Sequence, residues 1–591
     1  MQKKVLKKYF IGEINSLAWL LISFGTIIWS VTMIKSGLVY SFGMGFWGAN
    51  GHDGIWHIAL SQSLANGSWQ MPIFAGEMLK NYHLGFDLLL AILHKLTFIP
   101  IHTLYFQVLP PILAFGIGLF VYLFILSWNN SKTAAWWATF FVYFGGNWGW
   151  LISLIKNNKL GGESMFWSQQ SISTLVNPPF ALSLLFIFSG LYFLLEGTKA
   201  QKNGTQSTIY YLLSTFLFGL LVQIKVYAGI LVVSSLFFAG MLRLVNRKGT
   251  SLLKVFTGSL ILSILFFSPS SRDIGQTLIF KPFWFLETMM TFPDRFGWTR
   301  FGEAMVNYKL AGNWLKAIPT YTFAFLLFLF GNLGTRVIGG FWFMVGGWRK
   351  LLKPDFVTLI ILSIIAVGLF IPLLFIQSGT PWNTIQFFYY SLIFSGVLAG
   401  VYLGEVLEKA KKLIDNSMIY HTKIGVVILL MILFTLPTTL STLWYDYLPS
   451  RPPAKISNGE LEALIFLRKQ QDGTVLTLLY DKVKAEAAIA DPPRPLYFYE
   501  STAYVSAFSG KPTFLEDEVN LEITGYDWRS RRADLELFLK TPNQEIANNF
   551  LGKNNISYIY WVKPMLGPVS EGQKLMTKIF ENEEVQIFKV N

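Results

Sequence analysis

Over most of its length this chain sets long apolar blocks between short polar breaks, and near its end the pattern changes. A bilayer core is crossed by roughly 17–25 predominantly apolar residues in a helix. Blocks of that kind occupy 17–34, 104–127, 134–155, 176–196, 208–225, 227–243, 255–270, 318–345, 355–377, 385–404 and 424–444. They predict a polytopic α-helical membrane protein with about eleven transmembrane helices. The first block follows Lys3, Lys4, Lys7 and Lys8, and no small-x-small cleavage site comes after it. It therefore reads as an uncleaved helix with a cytoplasmic N-terminus. Two stretches are ambiguous. Residues 208–243 make either two tight spans about Lys225 and Gly229 or one long tilted span, and 318–345, with Gly331, Gly334, Arg336, Gly339 and Gly340, reads as a broken helix. Irregular backbone at membrane depth is tolerated only against protein or a water-filled cavity.

After residue 444 the periodicity is that of a soluble α/β domain. A Pro-rich linker, Pro449 to Pro453, leads to Ser457-Asn458-Gly459-Glu460, a capping sequence for a helix with Leu461, Leu464, Ile465 and Leu467 on one face. Strands are predicted at Thr474–Leu479, Ser557–Trp561 and Val585–Val590. The chain thus divides into a membrane body, 1–444, and a C-terminal domain, 445–591, with no internal repeat.

Charge orients this arrangement. Loops assigned to the cytoplasmic side hold Lys199, Lys202, Arg243, Arg247, Lys248, Lys254, Arg349, Lys350, Lys353, Lys409, Lys411, Lys412 and Lys423, while the opposite loop at 378–384 has no charge. An odd number of spans puts the C-terminal domain outside a plasma (inner) membrane. Only 14% of residues are charged and 53% are hydrophobic, against about a quarter charged in soluble domains. That excludes an ordinary soluble enzyme and a disordered chain. The net charge of +14 is in part topology and in part an outer-side basic surface that topology does not explain. It calls for no nucleic acid, and the absence of cysteine rules out thiolate chemistry.

Candidate chemistry falls in two long outer loops, 35–103 and 271–317. The first carries Gly51-His52-Asp53-Gly54-Ile55-Trp56-His57 and Lys80-Asn81-Tyr82-His83-Leu84-Gly85-Phe86-Asp87. Asp53 and His57 are spaced to share one helix face, where a carboxylate beside an imidazole is suited to general-base work. The bland reading is a turn or N-cap, and a third is a metal site of His52, Asp53, His57 and His83. The second loop sets Arg272, Asp273, Lys281, Asp294, Arg295, Arg300 and Lys309 among Phe283, Trp284, Phe285 and Trp298. Such cations either hold a lipid-linked phosphate or anchor the interface. Lys225 is either a snorkelling lysine or a phosphate ligand. Asn383 and Gln386, at a helix entrance, either meet sugar hydroxyls or cap the helix. Trp528-Arg529-Ser530-Arg531-Arg532 is the densest basic cluster of the tail, either a solvated helix face or a phosphate or glycan contact.

One basic helix, a long outer loop with an acidic residue near its start (Gly51-His52-Asp53-Gly54), a membrane-hugging stretch (Tyr82-His83-Leu84-Gly85-Phe86), many helices and an outer α/β tail together resemble the GT-C superfamily of multi-pass glycosyltransferases. Protein mannosyltransferases and aminoarabinose transferases belong to it. Tyr504, Ser509-Gly510-Lys511-Pro512 and Ile556-Ser557-Tyr558-Ile559-Tyr560 resemble the tails of uncharacterised bacterial members. The resemblance implies an inverting transfer of sugar from a polyprenyl-phosphate donor to a glycan, lipid or protein acceptor, with Asp53 as general base. Arg272, Lys281 and Arg300 would stabilise the leaving phosphate. His57, Lys80, Tyr82, His83, Asn383 and Gln386 would contact donor or acceptor. No cofactor is required, a divalent metal being an unsupported alternative, and the partners are membrane lipids, donor and acceptor. Here Asp53 is followed by Gly54, where the commonest pattern has a second acidic residue. Competing readings are a lipid or glycolipid flippase or transporter, and a non-catalytic envelope-assembly scaffold of the same fold.

Overall fold

The computed structural model describes residues 14–267, 278–342, 355–413, 418–541, 543–563 and 576–591. Lys3, Lys4, Lys7, Lys8, Arg272, Asp273, Arg349, Lys350 and Lys353 lie outside the described residues, as does the side chain of Lys412. Among the described residues 8 helices are long and apolar enough to cross a membrane. A bent pair, Lys132–Phe144 with Gly149–Asn157, meets the same test when taken as one span, and Thr208–Ile224 and Ser251–Phe267 are shorter apolar helices. The block at 134–155 is therefore not one straight helix: it turns by 42° at Gly145-Gly146-Asn147-Trp148. Lys225 has extended backbone (φ −156°, ψ 107°) between Thr208–Ile224 and Val226–Val245, which settles the ambiguity at 208–243 as two helices.

The chain forms two compact units. The first comprises Met1–Val31, Pro111–Ser268 and Gln276–Tyr445. Its helix Gln386–Leu413 lies against Lys132–Phe144 at Gly400 and Gly404, where a Cβ would strike the backbone of Ala138 and Ala134. Small residues at such crossings allow backbones to approach closely, the main source of helix association in lipid. The expected break in 318–345 is present. Trp314–Leu333 ends at Gly334 (φ +56°), and a 3-10 turn leads into Ile338–Trp342. Broken helices leave carbonyls without partners, and Arg336 satisfies them: its Nε donates to Leu333 O (3.0 Å), and its Nη2 to Asn332 O (2.6 Å), Gly146 O (3.2 Å) and Gln170 Oε1. One buried guanidinium therefore mends the break at Gly334 and the break at Gly146 together.

The second unit comprises Thr32–Pro110, Pro269–Gly275 and Asp446–Asn591, so the first long loop folds with the C-terminal tail. A four-stranded sheet runs in the order Val39–Tyr40, Gly43–Phe46, Ala454–Ile456, Arg494–Pro495, with Met44 opposite Ile456 in the antiparallel pair that joins loop to tail. Lys35 reinforces the joint by donating from Nζ to Tyr447 O (2.9 Å) and Pro449 O (2.8 Å). A second sheet, entirely of the tail, has the order Thr474–Leu476, Ile556–Val562, Val585–Val590, Met576–Glu581. The expected helix is present as Asn458–Arg468, with the Ser457/Glu460 capping box formed. The predicted tail strands are all present, the first shortened to Thr474–Leu476.

Candidate active site

Asp53 opens the helix Asp53–Ala65, directly after the 3-10 turn Gly48–Gly51. It is the first helical residue and not the N-cap, so its carboxylate lies at the positive end of the helix dipole. Its side chain is 49% exposed, whereas the neighbouring His52 is 11% exposed and Asp517 of the tail is fully buried. His52 stands between the two carboxylates, with Nδ1 3.0 Å from Asp53 Oδ1 and Nε2 3.5 Å from Asp517 Oδ1. Burial alone would make the ring harder to protonate. The charge of Asp517, the hydrogen bond to Asp53 and the charge of Glu500 outweigh it and lift the imidazole well above an ordinary histidine. Asp517 is itself fixed: it N-caps Glu518–Thr524 in left-handed backbone (φ +46°), its Oδ1 accepting from Asn520 N (3.1 Å) and its Oδ2 from Asn520 Nδ2 (2.8 Å). Asp517 and Glu500 line a cleft of the tail with Tyr480, Tyr497, Thr502 and Tyr504. Burial raises the Glu500 carboxyl, with His52 opposing, and pushes the Tyr499 hydroxyl to about 12.

The spacing of Asp53 and His57 suggests that they pair, but the structure gives each a different partner. His57 Nδ1 lies 2.8 Å from Asp87 Oδ1, which Ser61 Oγ also approaches at 3.4 Å. Asp87 enters from the helix Gly85–Thr97 and is fully buried. Burial raises its carboxyl above the usual range, opposed by the charge and hydrogen bond of His57. Aromatic rings enclose the imidazole: Tyr105 stacks at 5.9 Å, Phe86 is edge-on at 5.8 Å and Tyr82 lies at 6.3 Å. Tyr82 also meets Trp56 edge-on at 5.4 Å and stacks on His83 at 4.5 Å. The Lys80 ammonium sits 4.6 Å above the Tyr526 ring. Glu500 and Asp517 are not singled out by the sequence, and Asp87 falls in the first-loop motif without a role assigned to it. The one usable signal is Asp87, a lone carboxylate in the apolar run Gly85-Phe86-Asp87-Leu88-Leu89-Leu90.

Other expected residues have structural occupations. In the first unit, Lys225 is buried, not snorkelling, and its Nζ reaches Asn177 Oδ1 at 3.4 Å. Asn383 Nδ2 donates to Thr380 Oγ1 (3.0 Å) and Gln386 Nε2 to Asn383 Oδ1 (3.4 Å), so these two amides bond locally at the helix entrance. Lys281 and Arg300 are exposed. In the tail, the basic cluster is a partly solvated helix face, with Arg529 67% exposed, whose cations have protein partners. Arg529 pairs with Glu522 (2.6 Å), and Arg532 pairs with Glu518 and with Glu536 (2.9 Å). Arg531 lies flat on Phe74 (3.4 Å) while donating to Ala75 O (3.0 Å) and Phe514 O (2.9 Å). Among the described residues no group of three or more His, Cys, Asp or Glu side chains is arranged to hold a metal ion.

No protein-family model and no curated protein matches the chain, but solved structures do. The oligosaccharyltransferase of Archaeoglobus fulgidus, tethered to an acceptor peptide containing the NVT sequon, is similar with a TM-score of 0.52 at 13% identity, over 95% of this chain and 70% of that one. The same archaeal oligosaccharyltransferase, AglB, in complex with an inhibitory peptide and a dolichol-phosphate, gives 0.50 at 14% identity over 95% and 70%. ArnT from Cupriavidus metallidurans, bound to undecaprenyl phosphate, aligns over 97% of this chain and 98% of that one at 11% identity, but its TM-score of 0.41 carries no argument. At such identities the likeness speaks to fold alone: the chain shares the fold of the archaeal oligosaccharyltransferase.

Proposed function

We propose that this protein is an integral-membrane glycosyltransferase that moves a sugar from a polyprenyl-phosphate donor to an extracytoplasmic glycan, lipid or protein acceptor, with inversion and with Asp53 as general base. The observation that carries the reading is Asp53 itself. In a GT-C fold, a half-exposed carboxylate stands at a helix N-terminus with an imidazole 3.0 Å away, an arrangement that favours the ionised, proton-accepting form. In the reaction, an acceptor hydroxyl gives its proton to Asp53 as its oxygen attacks the anomeric carbon. The bond from that carbon to the phosphate oxygen breaks, and its electron pair leaves with the lipid phosphate. Lys80 and, separately, the exposed Lys281 and Arg300 are proposed contacts of lipid phosphate, together with Arg272. Tyr82 and His83 are proposed to bound the substrate, with His57 holding that wall through Asp87. No metal ion is needed for this chemistry. The solved neighbour's dolichol-phosphate and acceptor peptide support a lipid-linked donor, and the charge pattern of the loops supports a plasma-membrane protein with its tail outside.

The test is incubation of the purified full-length protein, in the presence of a chelator, with labelled polyprenyl-phosphate sugar. Release or transfer of sugar is expected. Movement between leaflets without release would instead indicate a flippase, and neither would indicate a scaffold. Asp53→Asn should reduce turnover by about 10²–10⁴-fold while leaving thermal stability unchanged. Wild-type turnover in that variant refutes the role of Asp53.

A further inference from the structure

The tail does more than accompany the first long loop in a common unit. We infer that His52 is a positioning residue for Asp53 and that Asp517 of the tail locks it in place, so that the tail completes the base. The inference rests on the reading of Asp53 given above.

A neutral imidazole has one N–H and one lone pair, so a satisfied core histidine faces one acceptor and one donor. His52 faces carboxylate oxygens from both ring nitrogens, Asp53 at 3.0 Å and Asp517 at 3.5 Å. The Asp517 contact is an ion-pair distance and not a hydrogen bond, and the doubly protonated ring suits both contacts, since a lone pair turned toward either carboxylate would be repelled. The groups in contact with His52 are Asp53, the first residue of the helix it caps, and Asp517 of the tail. Glu500 adds a longer-range acidic charge, with Arg494 acting on Glu500 in turn, so all three carboxylates favour the charged ring.

The rigidity comes from the tail. Asp517 is fully buried and both of its oxygens are held by Asn520. It therefore fixes the ring, and the ring in turn fixes one oxygen of a carboxylate that is otherwise half exposed. A carboxylate so held does not have to be ordered when the acceptor arrives, and the adjacent cation keeps it ionised. Asp517 touches no reacting atom; it acts through His52.

The test uses the full-length protein in detergent. Asn is as good an N-cap as Asp and tolerates left-handed backbone, so Asp517→Asn retains the local fold while removing the charge. His52→Gln is the second variant, and it also assigns the His52 signal by its loss. In histidine-selective NMR, the proton affinity of His52 should fall at least about tenfold in Asp517→Asn. In the pH–rate profile, the acid limb should move to higher pH in both variants, with kcat lowered about tenfold and the donor KM retained. An imidazole insensitive to Asp517→Asn overturns the inference. So does a sensitive imidazole with an unmoved acid limb, because the contact would then be structural only. Full activity in Asp53→Asn would instead remove the underlying reading of the base, and the NMR result, which needs no turnover, keeps the two failures apart.

Discussion

Removing Asp87 should be the most damaging single change around the site. Asp87 is fully buried, accepts from His57 at 2.8 Å and is approached by Ser61 at 3.4 Å. Asp87→Ala leaves a buried imidazole and a buried hydroxyl without that acceptor and opens a small void. Breaking a buried pair from one side costs about 3–5 kcal/mol, which corresponds to roughly 10 °C in apparent melting temperature for a unit of this size. Asp87→Asn keeps one carbonyl oxygen for the Nδ1–H of His57 and should cost only about 1 kcal/mol. His57→Ala leaves the carboxylate buried without its main partner and should resemble Asp87→Ala. The double alanine variant, which leaves neither group stranded, should be more stable than the two single losses added together by about 2 kcal/mol. The assay is intrinsic tryptophan fluorescence on heating in one detergent at one scan rate, because unfolding of such a protein is read as a rate. Additive single losses, or Asp87→Asn as damaging as Asp87→Ala, would refute the pairing.

Two further changes probe the packing and the buried acids. Gly400→Ala should loosen the crossing of Gln386–Leu413 on Lys132–Phe144, since its Cβ would meet the backbone of Ala138. A cost of about 1–3 kcal/mol should appear as faster heat inactivation, and an unchanged rate would refute the close approach. Glu516 is raised to about 8 by burial, against the hydrogen bonds it accepts from Ser506 N and Val505 N. A raised folded-state value means that its stabilising contribution is complete below the unfolded value of about 4.5 and is lost as pH climbs toward 8. Glu516→Gln should therefore flatten the decline of melting temperature between pH 5 and pH 8, and an unaltered slope would count against the buried carboxyl.

Much of the architecture is legible in hydropathy, because the demand for a long apolar helix is strong and local. Phe356–Leu374 falls inside the block at 355–377, and Val226–Val245 follows that at 227–243. The bend at 145–148 escaped because hydropathy averages over it, although Gly145-Gly146-Asn147 marks it plainly. The site is less legible. Asp53 is marked as a candidate by its place in the loop, but spacing on an ideal helix names His57 as its partner. That rule holds inside a helix, and Asp53 is the first residue of one. The preceding residue is then free to turn its ring back, and His52 takes the contact while His57 is claimed by an acid on another helix.

The basic tail cluster shows why charge along a sequence and charge in space are different quantities. Trp528–Arg532 reads as concentrated positive potential, yet Arg529 and Arg532 are neutralised by Glu522, Glu518 and Glu536. Arg531 is spent on backbone carbonyls and two aromatic faces. Glu536 is an i,i+4 partner that helix spacing predicts, but Glu518, Glu522, Phe514 and the first loop's Phe74 and Ala75 are not readable from any local pattern. The converse holds at His52. An isolated histidine in a Gly-rich turn carries little charge by composition, but Asp53, Asp517 and Glu500 converge on it. The consequential charge of the site is thus the one that the fold creates by bringing the tail to the loop, not the one the sequence displays. The acidic surroundings that favour a charged ring beside the half-exposed Asp53 carboxylate exist only because loop and tail fold as one unit.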